Sequence, residues 1–214
     1  MSAEETLAGL SKQISTCTKC PLHEGRRKAV PGEGPANAEM MFIGEGPGFH
    51  ENEQGRPFVG AAGKFLDQLL AQAGVTRADV FIGNVVKCRP PGNRDPLPEE
   101  LAACDEYLEA QIEAIDPGII VTLGRFSMNK FIPGAKISKL HGQMRKVGER
   151  YVIPMFHPAA ALHQAALKPA ILEDFAKLPG LLREARAAQG KAAAEVKREN
   201  VMRENDKPQQ LSLF

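Results

Sequence analysis

Four cysteines, Cys17, Cys20, Cys88 and Cys104, are the sharpest chemical signal in the chain. The first two form a C-x2-C pair, and the others follow far downstream. In a reducing compartment disulfides are rare, so four thiols opening on such a pair point to one metal centre. Structural zinc and an iron-sulfur cluster both accept four thiolates, and spacing does not choose between them. The bland alternative leaves Cys88 and Cys104 as buried core residues and gives meaning only to the first pair.

A second candidate is the glycine-rich stretch "GEGPGFHENEQGRPFVGAAGKF", Gly44 to Phe65. It is not a nucleotide loop of either common kind. A Walker motif would need Gly at Phe58 and Ser or Thr at Phe65, and a dinucleotide fingerprint would need Gly at Phe49. What remains is a backbone-rich turn with Glu45 and Glu51, then Phe58, then a helix start near Gly63 whose free N–H groups suit an anion. On these residues alone a loop with solvated carboxylates is the competing reading. Asn84, in "FIGNVVKC", and His157, in "MFHPAA", each close an apolar run. Either is equally readable as a structural cap or as a polar group presented to a ligand.

The elements that would carry these residues follow from hydrophobic period. "AEMMFIGEG", "DVFIGNVVKC", "PGIIVTLG" and "YVIPMFHP" read as short buried strands, each bounded by Gly, Pro or a charge. "AAGKFLDQLLAQAG" and "PEELAACDEYLEAQIEAI" have helical spacing, the first closing on Gly74 and the second opening after Pro98. Alternating strand and helix predicts a three-layer α/β/α sandwich around a mostly parallel, four-stranded sheet. Ligands of such sheets bind at the carboxyl ends of the strands. The glycine-rich loop, Asn84 and His157 all fall there.

The chain has 214 residues, enough for one sizeable core. Its formal charge of +1 supplies no global field for a polyanion, so any nucleic-acid contact must be a local patch. The start "MSAEETLAGL" is acidic where a signal peptide is basic, and no run is long and apolar enough for a membrane span, so a cytoplasmic, bacterial nucleoid-associated protein is expected. "KPAILEDFAKLPGLLREARAAQG" reads as a terminal helix, and "KAAAEVKRENVMRENDKP" has almost nothing to bury. The division is a domain over residues 1–188, a charged linker over 189–208 and a terminal peptide over 209–214.

Together "GEGPG…ENEQGRPFVGAAG", "NVVKCRPPGNRDPLPEE", "MFHPAA" and the ordered cysteines resemble family 4, the iron-sulfur branch of the uracil-DNA glycosylases, over roughly residues 10–185. The resemblance implies a DNA repair enzyme, monomeric, that flips uracil from single- or double-stranded DNA and hydrolyses its glycosidic bond. It implies a [4Fe-4S] cluster on Cys17, Cys20, Cys88 and Cys104, with a structural role. Phe58 would stack on the uracil, Asn84 would read its N3–H and O4, and His157 would donate to O2. Glu45 and the Gly46 backbone would lie beside the attacking water, and Glu51 near C5. Leu162 would wedge into the vacated stack, with ordinary core packing as its alternative. Lys139, Arg145 and Lys146 would meet phosphates unless "KLHGQMRK" is merely a solvated hairpin. Glu51-Asn52 stands where the family often has Glu-Asp, and no role is assigned to Asn52, His50 or His141.

Two other classes fit less well. One is a non-catalytic DNA-binding scaffold held together by its cluster. The other is the covalently trapping family X, which needs a histidine between Cys88 and Cys104, where "RPPGNRDPLPEELAA" has none. The final "QQLSLF" resembles the peptide with which bacterial repair proteins dock on the DNA sliding clamp, with Leu211, Leu213 and Phe214 as anchors and Gln210 at the rim. The alternative is a tail folded back onto the domain.

Overall fold

Each parallel strand of the sheet alternates its side chains between two separate cores, which is why short apolar runs suffice to build it. In the computed structural model, which describes residues 1–205, Met40 and Phe42 of β1 (Met40–Gly44) enter one core while Met41 and Ile43 enter the other. Successive strand side chains point to opposite faces, so a run buried on both faces is apolar throughout. The chain then forms α2 (Phe49–Gln54), α3 (Ala61–Gln72), β2 (Val80–Asn84), α4 (Pro98–Ile115) and β3 (Ile119–Leu123). It continues through α5 (Arg125–Phe131), α6 (Ile137–Leu140), β4 (Arg145–Val147), β5 (Arg150–Met155) and α7 (Pro158–His163). A first helix, α1 (Ala3–Thr16), precedes these elements and α8 (Lys168–Asn205) follows them.

The sheet has the order β2-β1-β3-β5-β4. The first four of these strands are parallel neighbours, and β4 pairs antiparallel with β5. The sequence reading of four strands is thus one short. The extra strand is only three residues long, and its polar Arg145 and Lys146 give no apolar signal. It pairs with β5 as a hairpin that takes in only Arg145 and Lys146 of "KLHGQMRK", Lys139 lying in α6. Leu66, Leu69 and Leu70 of α3 and Phe175 and Leu178 of α8 cover one face. Leu108, Ile112 and Ile115 of α4, with Phe126 and Phe131 of α5, cover the other. Helix α1 packs outside α4 through Leu10 and Ile14, in a third cluster that holds Cys88 and Cys104.

Two features of the chain's course place the site. Between β1 and β3 the chain reverses its direction of progress across the sheet, leaving a crevice at the strand carboxyl ends. Residues 30–33 run along β2, where Glu33 and Ile82 exchange backbone hydrogen bonds of 3.0 and 2.8 Å and Val30 N–H donates to Lys87 O at 2.8 Å. That path covers the β2 edge and brings the Cys17 region toward Cys88. Segment 189–205, read as a linker, is helical backbone to Asn205. Its Ala, Lys and Glu content favours that conformation without requiring burial. Among the described residues no helix is long and apolar enough to cross a membrane.

Candidate active site

Glu45, Gly46, Glu51, Phe58, Asn84 and His157 line one cleft of about 390 Å³. They arrive from three strand ends, from α2 with Glu51 and from the loop with Phe58. Glu45 follows β1 and its carbonyl accepts Val86 N–H at 3.1 Å, so the parallel ladder continues past the strand ends and fixes its backbone. Asn84 ends β2, and His157 follows β5 as the N-cap of α7. Gly44 makes the floor possible, because a Cβ there would lie 2.5 Å from Asn84 Oδ1 and 2.7 Å from the Phe58 ring.

Phe58 is 6% exposed, with φ at +52°, in a region that bulky side chains rarely adopt. The surroundings impose that conformation. Arg77 donates to the carbonyls of Pro57, at 3.1 Å, and of Phe58. Glu51 Oε1 accepts the next two backbone N–H groups, Val59 and Gly60, both at 2.8 Å. Gly63 approaches so closely that a Cβ would sit 1.9 Å from the Phe58 carbonyl oxygen. The ring lies near-parallel to His157, with centroids 5.5 Å apart. Glu51 Oε2 also accepts Gly48 N–H at 3.1 Å. This carboxylate therefore binds three loop amides while forming part of the cleft wall.

Asn84 is buried, and its Oδ1 has no hydrogen-bond partner. An unpaired buried acceptor costs roughly 1–3 kcal/mol, so such an atom beside a cleft calls for a ligand donor. His157 Nδ1 accepts Ala159 N–H at 3.1 Å, which places the proton of the neutral ring on Nε2. Burial lowers the imidazole to about 4, against a small opposing pull from Glu51. Its Nε2 is thus a neutral donor at physiological pH. Glu45 is shifted the other way: burial, reinforced by Asp95, raises its carboxyl above the usual glutamate value, partly offset by Arg125.

The four cysteines line a second, mainly apolar cavity with Ile14, Leu22 and Tyr107. Cys17 caps the end of α1, Cys20 precedes a short 3-10 turn, Cys88 follows β2 and Cys104 lies inside α4. Donors point at the sulfurs, from Lys87 N–H to Cys104 at 3.3 Å and from the Arg26 guanidinium to Cys88 at 3.4 Å. Burial pushes the Cys104 thiol up to about 11, so a bound cation is needed to hold it as thiolate at neutral pH. Among the described residues no three His, Cys, Asp or Glu side chains converge closely enough to hold one metal ion.

Other predicted residues lie outside the cleft. Leu162, on α7, is 51% exposed, which removes the core alternative. Arg145 and Lys146 lie exposed on β4, and Lys139 is on α6. Asn52 is buried, and its Oδ1 accepts Arg27 N–H at 2.9 Å, tying α2 to the N-terminal segment. His141 Nδ1 lies 2.7 Å from Asp174. Gln210, Leu211, Leu213 and Phe214 lie outside the described residues.

Sequence reading missed five residues around the site. Lys87, fully buried, donates to Asn84 O at 2.9 Å and to Gln111 Oε1 at 2.7 Å, bracing the strand end between the two cavities. Arg94 and Asn93 join the cleft wall, and the buried Glu100 holds Arg94 in a two-pronged contact at 2.6 and 2.9 Å. Arg77 acts from outside through the Phe58 backbone. The motif "RPPGNRDPLPEE" carried a signal for Arg94 and Glu100, while Lys87 and Arg77 show their partners only in three dimensions.

This geometry agrees with what the chain is similar to. A family described as the uracil DNA glycosylase superfamily matches residues 31–177. A type-4 uracil-DNA glycosylase of Thermotoga maritima is 45% identical over 185 residues, 84% of this chain and 96% of the relative. Its namesake in Archaeoglobus fulgidus is 46% identical over 184 residues, 81% of this chain and 92% of the relative. A type-5 uracil-DNA glycosylase of Thermus thermophilus is more distant, at 32% over 142 residues, 59% of this chain and 64% of that one. With the family matched over residues 31–177 and relatives of this identity covering most of its length, the chain belongs to the uracil DNA glycosylase superfamily.

Proposed function

We infer that the chain is a DNA repair glycosylase that draws uracil out of DNA and hydrolyses its N-glycosidic bond. The observation that carries this reading is the unpartnered Asn84 Oδ1 beside Phe58. Uracil offers N3–H to that acceptor, whereas cytosine offers a lone pair there, and a mismatch leaves buried polar groups unpaired. Phe58 gives the flipped ring an apolar face. Glu51, held by three amides, is a rigid wall near C5, where the methyl of thymine would meet it.

Bond breaking leaves a cation on the sugar and an anion on uracil, whose charge develops at O2. The His157 Nε2–H stabilises that charge without giving up its proton, since burial keeps the ring neutral. Water adds to C1′ as the base leaves, and the proton it gives up passes to the departing uracil anion, directly or through solvent. Glu45 and the Gly46 backbone flank this water, and the Glu45 carboxylate supports the cation. Leu162 fills the space left in the stack, and Lys139, Arg145 and Lys146 contact phosphates.

Cys17, Cys20, Cys88 and Cys104 fit a [4Fe-4S] cluster, since all four line one apolar cavity with N–H donors directed at sulfur. When bound, the cluster supplies a cross-link between the N-terminal segment, the end of β2 and α4. The terminal Gln210, Leu211, Leu213 and Phe214 form a peptide for the DNA sliding clamp.

Single-turnover release of uracil from short oligonucleotides tests the activity. His157→Ala should slow it roughly a hundredfold or more while leaving DNA binding nearly unchanged, the scale of one lost oxyanion donor. Asn84→Asp, which alters the pattern facing O4 and N3, should also lose uracil release. Near-normal turnover in both variants would refute this pocket.

A further inference from the structure

Phe49 is the first residue of α2 and stands 53% exposed, directly after Gly48 of the cleft wall. A single apolar side chain in water is unremarkable by itself. This one, however, is built into an arrangement. The Arg89 guanidinium lies over its ring, 5.4 Å from the centroid, and the His50 ring meets it edge-on at 5.4 Å. Arg89 in turn donates through Nε to Asn93 Oδ1 at 2.8 Å, and Asn93 lines the cleft in a left-handed turn with φ of 57°. The cation is thus tethered to the cleft wall at one end and to an exposed aromatic face at the other.

We propose that Phe49, backed by Arg89, is a stacking platform for the nucleobase next to the flipped nucleotide. The reasoning rests on the glycosylase reading of the cleft. A cleft that takes one base forces the strand to cross its rim, and the neighbouring base then loses a stacking partner. An exposed ring at the rim replaces that partner and, because every base has a π face, does so whatever the sequence. A guanidinium on the ring strengthens the stack and carries positive charge to the adjoining phosphate. Leu162 stands on α7 between Ala160 and His163, both of which line the cleft. The two exposed apolar side chains therefore have separate tasks: Leu162 fills the gap and Phe49 holds the neighbour.

The test pairs protein variants with altered substrates. Single-turnover kcat/KM is measured on a single-stranded oligonucleotide containing uracil, and on two others in which the 5′ or the 3′ neighbour is an abasic spacer. The wild type should lose about tenfold with one spacer only, the scale of a single base–aromatic stack. Phe49→Ala should lose about tenfold on the normal strand and nothing further with that spacer, while Phe49→Trp should match the wild type. 2-Aminopurine at that position should be quenched on binding the wild type and not Phe49→Ala. Indifference of the wild type to both spacers would overturn the platform. So would a Phe49→Ala defect that persists undiminished with both. A wild type releasing no uracil at all would remove the glycosylase reading instead, and the 2-aminopurine signal would still decide the platform.

Discussion

At the scale of the residue, the cleft sets two titratable groups in opposite directions. His157 is driven down to about 4 by burial, which leaves it a neutral donor at neutral pH, while burial and Asp95 push the Glu45 carboxyl upward. Activity that needs the Glu45 carboxylate is lost as pH falls through its raised value, and the lowered His157 protonates only at more acid pH. The acid limb of kcat/KM should therefore lie above the ordinary glutamate range, and Glu45→Gln should abolish that limb along with most of the activity. A limb near 4 that survives in Glu45→Gln would assign it to His157. The stability consequence has its own sign. A carboxyl raised in the folded state binds more protons there than in the unfolded chain, so stability falls as pH rises through the window between the two values. At pH 7 Glu45→Gln should then raise the melting temperature rather than lower it.

At the scale of the element, two connections do the positioning. The loop from Arg56 to Gly60 presents Phe58 in a left-handed conformation, held by Arg77 outside and Glu51 inside. The N-terminal segment, laid along β2, brings Cys17 and Cys20 to Cys88 and Cys104. Loss of one thiolate should therefore loosen the molecule rather than disable its chemistry. Cys88→Ala should lose iron and melt roughly 5–10 °C lower, the scale of a few kcal/mol in a chain of this size. Turnover per folded molecule should stay within a few-fold of the wild type. A variant that melts normally yet has no turnover would place the cluster in the reaction.

At the scale of the whole molecule, the catalytic cleft and the terminal peptide are separate in the chain. From residue 189 to Asn205 the backbone is helical, which spans roughly 25 Å at about 1.5 Å per residue. A short peptide beyond such a spacer gains from local concentration, so modest affinity for a clamp suffices. Removing residues 209–214 should abolish retention on an immobilised sliding clamp, leave uracil release from free oligonucleotides unchanged and hardly move the melting temperature. A large loss of stability, with no clamp binding by the intact chain, would instead favour a tail packed on the domain.

The amino-acid sequence by itself determined the four parallel strands, the helices α3, α4 and α8 and, of the cleft lining, Glu45, Gly46, Glu51, Phe58, Asn84 and His157, because buried parallel strands and the turns at their ends carry dense local signals. Glu45, Phe58, Asn84 and His157 are each tied to such a signal, a glycine turn or the end of an apolar run. The short edge strand at Arg145–Val147 escaped, since its pairing lies with β5 and its own residues are polar. Only the tertiary structure decided that Leu162 is exposed, that Lys87 braces Asn84, that Arg77 holds the Phe58 backbone and that Arg89 lies over Phe49. Each of these depends on contacts between segments distant in the chain or on solvent exposure, and neither is a property of a residue and its neighbours in sequence.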